Sequence, residues 1–224
     1  MRSVQFSNSN FYHIYNRGVD KRVLFQDRAD FKRFYASLYL FNDSSYSHSG
    51  DRSPLRANDL FNRLLKTEKR GVCLVNVISY CLLPNHYHLL LEQVEERGIN
   101  KFMHKLGMGY SNYFNKRYER SGRLFEGPFK AKLIQRDEHF MHMPRYIHLN
   151  ALDMTSLKWR EGKISDWNEA DAFLDSYQWS SHRVYRVFKE SLPIVKQSSV
   201  GTLFSSSDDY TIFLRQWTGR YNYE

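Results

Sequence analysis

A hairpin carrying two histidines on one strand constrains this chain more than any other feature. Residues 78–91 read ISYCLLPNHYHLLL, two apolar runs joined by Pro84 and Asn85. A Pro-Asn pair between strand-like runs is a turn signal. Side chains two apart on a strand share a face, so His86 and His88 point the same way, about 7 Å apart along the strand. Two imidazoles so placed can share a metal ion when a further ligand faces them. They can equally be packed or solvated histidines of an amphipathic strand. The chain has nine histidines, and spacing alone does not separate these readings.

The rest of the chain supplies context. Residues 11–18, FYHIYNRG, predict a first strand. Asp27 is placed to cap a helix to about residue 41, with Phe31, Phe34, Tyr35, Leu38 and Phe41 at helical spacing. Residues 42–57 are polar, Ser-rich and aperiodic, which predicts a surface insertion. A short helix is expected over 58–67, then the hairpin strands over 72–83 and 86–94. An apolar stripe from Ile99 through Phe102, Met103, Leu106, Tyr110, Tyr113 and Phe114 predicts a long helix over 98–118. Those tyrosines and Phe114 could stack on bases, but at this spacing they suit a core. Residues 124–135 predict a fourth strand, with Pro128 calling for an edge or a bulge. A helix capped by Asp137 should follow to about residue 152, bent or delayed by Pro144. His142, Tyr146 and Asn150 share one face of it. Trp159, Trp167 and Trp179 are candidate packing anchors, and an amphipathic segment over 210–217 is expected to fold back.

Charge narrows the function classes. The chain has 224 residues and a formal net charge of +9, with 16 Tyr and 16 Phe. Residues 98–136 hold nine cations against two anions, Glu119 and Glu126. Concentrated cations with aromatic rings suit a nucleic-acid surface, since cations neutralise phosphates and rings stack on unpaired bases. A solvated helix face and loop is the plainer alternative. Cys73 and Cys81, the only cysteines, sit in apolar runs and read as buried thiols of a cytoplasmic protein. No signal peptide and no apolar run near 18 residues is present, so no export or membrane-spanning segment is expected.

Five stretches in this order resemble one family: YHIYNRG at 12–18, LLPNHYHLLL at 82–91, YSNYFNKRYERSGRLFEGPFKAKLI at 110–134, RYIHLN at 145–150 and YQWSSHRVY at 177–185. They are similar to the single-tyrosine HUH transposases, in particular the REP-associated tyrosine transposases. That resemblance implies an α+β fold of the HUH-nuclease type, an antiparallel sheet with helices packed on one face as in RRM-like or ferredoxin-like folds. It implies a domain over 1–155 and a C-terminal helical extension over 156–224 packed on the same domain. It assigns a divalent metal, Mg²⁺ or Mn²⁺, to His86, His88 and Asn150, and the nucleophile to Tyr146. A tyrosine and an asparagine four apart also occur at Tyr12 and Asn16, but on a strand. The partner implied is single-stranded or hairpin DNA, with Lys116, Arg117, Arg120, Arg123, Lys130 and Lys132 as candidate phosphate contacts. Oligomeric state, monomer or homodimer, is left open. A catalytically silent hairpin-binding protein of the same fold, a domesticated copy, is the alternative.

Overall fold

The computed structural model describes residues 4–46, 71–135, 138–187 and 193–219. The helix expected over 58–67, most of the polar insertion and the Asp137 cap lie outside the described residues. Four strands form one antiparallel sheet: β1 (Phe11–Arg17), β2 (Val75–Leu83), β3 (His86–Gln93) and β4 (Lys130–Ile134), in the order β2-β3-β1-β4. The hairpin closes as its turn residues require, with Leu83 opposite His86 across Pro84 and Asn85. The fourth strand is shorter than expected. Pro128, which cannot donate to a ladder, stays outside it, and only a single bridge between Gly18 and Phe125 extends the pairing upstream.

Helices cover both faces of this sheet, not the one face that the resemblance implied. Alternation along β3 shows why. Tyr87 turns to one side, where it meets Phe34 of α1 (Arg28–Leu40) with ring centroids 5.1 Å apart. α1 starts where its sequence says it should: the Asp27 carboxylate accepts from the N–H groups of Ala29 and Asp30. The apolar stripe of α2 (Gly98–Arg117) is buried beside it, so Tyr110, Tyr113 and Phe114 are core residues. His88 turns to the other side, beneath α3 (Glu138–Leu149), a continuous helix through Pro144.

The rest of the chain stitches onto the sheet from α3 onward. A 3-10 segment, Asn150–Met154, and a 3-10 turn, Trp159–Glu161, lead to α4 (Trp167–Ser176), α5 (His182–Val187), α6 (Gln197–Leu203) and α7 (Ser207–Arg215). The outer edge of β2 is not left open. Leu82 N–H donates to Trp179 O at 2.8 Å, Ser181 N–H to Tyr80 O at 2.9 Å and Lys196 N–H to Val77 O at 2.8 Å. Trp159, Tyr185, Tyr210 and Trp217 enter the same buried cluster as the strands, each contributing roughly 1.5–3 kcal/mol of apolar burial. At the opposite edge, β4 is short and carries Lys130 and Lys132, which discourage further strand pairing. Cys81 is buried and Cys73 only half-buried, both as free thiols.

Candidate active site

The site forms where α3 crosses the histidine-bearing face. Cross-strand register sets His88 opposite Tyr15 and His86 opposite Arg17. His86 and His88 stand with ring centroids 5.1 Å apart. Tyr146 lies edge-on to His88 at 6.2 Å and to His13 at 6.0 Å. Sequence therefore placed His86, His88 and Tyr146 in one site, and the fold brings them together.

Each histidine has Nδ1 engaged by a neighbour. His86 Nδ1 lies 2.6 Å from Asn85 Oδ1, and His88 Nδ1 lies 2.9 Å from His13 Nε2. With Nδ1–H as the donor in both, each ring would ligate through Nε2, the arrangement in which an outer partner fixes tautomer and orientation. Burial holds the His88 pKa well below its ordinary value, with His13, His86, Arg160 and Arg17 adding to the effect. A neutral imidazole is the form that binds a metal. The donor set thus fits a divalent ion. No three His, Cys, Asp or Glu among the described residues make a complete ligand set. A metal on the pair would need amide, water or phosphate oxygens as well.

Asn150 follows the last residue of the helix that carries Tyr146. It is fully buried, donates from Nδ2 to Tyr146 O at 2.7 Å and accepts at Oδ1 from Arg160 Nη2 at 2.9 Å. The atom expected to ligate a metal is here bonded to a cation. Arg160 also binds Asp153, at 2.6 Å and 3.0 Å. Burial lowers its pKa, but hydrogen bonds to Asp153 and Tyr146 raise it further, and the net shift is upward. Its guanidinium is therefore permanently charged and lies close enough to the Tyr146 phenol for the two to act on each other electrostatically. The Trp159 ring, 5.7 Å from Tyr146, and Trp217, at 6.4 Å, flank it. Tyr146 is only 2% exposed.

Sequence reasoning missed His13 and Arg160. His13 left a usable signal, since it shares the period-2 face of Tyr15 and Arg17 in a strand paired to β3. Arg160 left none: only tertiary packing brings it to Tyr146. His142 packs outward, stacked on Phe213 at 5.2 Å and bonded to Arg145.

The candidate phosphate contacts divide. Arg117 is committed to Asp27 at 2.5 Å, Asp30 at 2.8 Å and the Tyr113 hydroxyl at 2.7 Å, so its charge braces α1 against α2. Arg120 braces the turn after α2, through Asn115 Oδ1 and Arg123 O. Lys116, Arg123 and Lys130 are exposed and Lys132 is half-buried. Lys130 and Lys132 lie opposite Tyr15 and His13, beside the histidine pair.

The family model described as Transposase IS200 like matches residues 59–150. That stretch is similar to the IS200-like transposase family. It contains the hairpin, α2, β4, Tyr146 and Asn150. A solved structure of a REP-associated tyrosine transposase bound to a REP hairpin is similar at 10% identity, covering 87% of this chain and 88% of that one, with a TM-score of 0.49. No curated protein matches the chain significantly.

Proposed function

We propose that this protein is a metal-dependent single-strand DNA transposase that cleaves and rejoins DNA through a 5′-phosphotyrosine on Tyr146. The observation that carries this reading is the Tyr146 ring lying against the buried His13–His88 pair, within the segment that matches the IS200-like family. The hairpin as the preferred DNA form rests on the five sequence stretches that resemble the REP-associated branch.

The Tyr146 oxygen attacks the scissile phosphorus, a new P–O bond forms, and the bond to the 3′-oxygen breaks. The phenol gives up one proton and the leaving 3′-oxygen takes one up, so the step is balanced and reversible. Arg160 stabilises negative charge on the phenolic oxygen as that proton leaves. His86 and His88 would hold the divalent ion, with Asn150 joining once Arg160 releases its oxygen. Bound there, the ion would polarise the phosphate and stabilise the leaving oxygen. Imidazole ligands favour Mn²⁺ over Mg²⁺. Lys130, Lys132, Lys116 and Arg123 steer the strand electrostatically, without reading bases.

DNA can reach Tyr146 only when the tryptophan cover moves, so we read 1–155 as the catalytic domain and 156–224 as its cover. Among the described residues no helix is long and apolar enough to cross a membrane, and the function places the protein in the cytoplasm, at the nucleoid. The test is Tyr146→Phe. It should bind hairpin DNA with parental affinity by fluorescence anisotropy and form no covalent adduct on a denaturing gel. An adduct at the parental rate would move the role to another tyrosine. A parent that binds but never forms an adduct would favour the silent, domesticated copy.

A further inference from the structure

A cleft of about 910 Å³ lies between α2 and residues 123–129. Its floor is formed by Asn16 and Tyr87, which are cross-strand partners. Their chain neighbours Tyr15, Arg17, His86 and His88 point through to the opposite face. The cleft is therefore a second site, behind the histidine pair. From it we infer that the cleft anchors an unpaired nucleotide of the DNA strand, base inserted and phosphates on the rim, while the scissile phosphate lies at Tyr146. This rests on single-stranded DNA being the substrate.

Two observations carry it. The first is charge. Arg97, Lys101 and Arg123 line the cleft together with His104, and no carboxylate does among the described residues. The volume lies within the range of small-molecule sites, roughly 300–1,000 Å³. The second is Gly107, in the middle of α2. A glycine inside a helix is destabilising relative to alanine, so its presence needs a reason. Its backbone is ordinary, and a Cβ built on it meets no atom within 4 Å. Neither turn geometry nor close packing accounts for it. Gly127, on the other wall, is the same in both respects. Both glycines border the cleft, and what their missing side chains leave is room there. Exposed Met108, at 53%, and the half-buried Phe129 ring offer apolar surface for a base. Only β4, with Lys130 and Lys132, separates the cleft from the cleavage face along that edge, so one strand can pass from one site to the other.

The test uses the full chain and a fluorescein-labelled single-stranded oligonucleotide, with thermal unfolding as the control for folding. Gly107→Ala should raise the melting temperature and leave affinity within two-fold, because the added methyl meets open space. Gly107→Leu should fold and bind at least ten-fold more weakly. Should it not fold, the surface variant Arg97→Glu/Arg123→Glu decides, with the same loss expected. Removing both cations with Arg97→Ala/Arg123→Ala should flatten the slope of log affinity against log salt by about 1.4. Unchanged affinity in folded Gly107→Leu, or in the double charge reversal, overturns the inference. Competition by a free 5′-mononucleotide at the oligonucleotide's own concentration would also overturn it, since the site would then take nucleotides and not a strand. Adduct formation at Tyr146 is read separately. Gly107→Leu should still form it at saturating DNA, so failure of the cleavage chemistry leaves the binding result intact.

Discussion

In the proposed metal site, the 2.9 Å contact between His13 Nε2 and His88 Nδ1 bears on which nitrogen of His88 would ligate. With Nδ1–H as the donor to His13, Nε2 would be the ligating atom, and the ring could not swivel without losing a buried hydrogen bond. His13→Phe keeps the bulk and removes the acceptor. It should weaken Mn²⁺ binding about 10–100-fold, measured by electron paramagnetic resonance titration, with the fold intact by circular dichroism. Unchanged Mn²⁺ affinity would make His13 a packing residue only. Arg160 would act on Tyr146, the proposed nucleophile. Arg160→Gln should slow adduct formation on the order of 10²-fold while hairpin affinity stays at the parental level. An equal loss in binding and in adduct rate would mean that Arg160 contacts DNA and not the nucleophile. The two residues differ in legibility. His13 could be reached by following the strand period across β1, whereas Arg160 sits in a 3-10 turn whose sequence says nothing of Tyr146.

At the scale of elements, α3 is held by a buried polar chain whose proton positions are fixed from one end. His182 donates from Nε2 to Asp175 at 3.1 Å, so its Nδ1 accepts from the Tyr210 hydroxyl at 2.9 Å. Tyr210 then accepts from His148 Nδ1 at 2.7 Å, and His148 Nε2 accepts from Ser181 at 2.7 Å. Ser181 in turn accepts from Tyr80 N–H of β2 at 2.8 Å. Protonating His148 breaks this order. Burial, reinforced by His182, holds its pKa well below 6.5, as burial does for His88. A histidine whose folded pKa lies below its unfolded value stabilises the fold above about pH 6.5 and loses that contribution as pH falls. The unfolding free energy from urea titrations should therefore drop between pH 7.5 and 5, by up to about 1.4 kcal/mol per pH unit for each of these two histidines. A flat profile would mean that water reaches them. None of this chain could be read from sequence, since its bonded partners lie up to 101 residues apart. The elements themselves were legible wherever a single period ran long enough. The stripe of α2 and the histidine hairpin are examples, while β4 is shorter than expected because Leu124, Phe125 and Phe129 suggest a strand but Gly127 and Pro128 interrupt it, leaving a single bridge at Phe125.

For the whole molecule, the histidine hairpin was legible as a local motif, and the meeting of His86, His88 and Tyr146 followed from the family resemblance. Trp159 and the 210–217 segment were expected to pack on the domain, but the second helical layer and the placement of Trp159 and Trp217 over Tyr146 were not legible, because they depend on long-range contacts that have no local pattern. The cover also explains why Tyr146 is buried, and on the proposed function binding DNA and opening the site are linked. The most direct measurement maps the covalent bond itself. The full chain is incubated with a hairpin-bearing single strand and Mn²⁺, denatured and digested, and the nucleotide-modified peptide is sequenced by tandem mass spectrometry. The modification is expected on Tyr146, and it should vanish when a chelator replaces the metal. A phosphotyrosine at Tyr12, Tyr110 or any other position, or an undiminished Tyr146 adduct in excess chelator, would contradict a Tyr146 nucleophile served by a metal at His86 and His88.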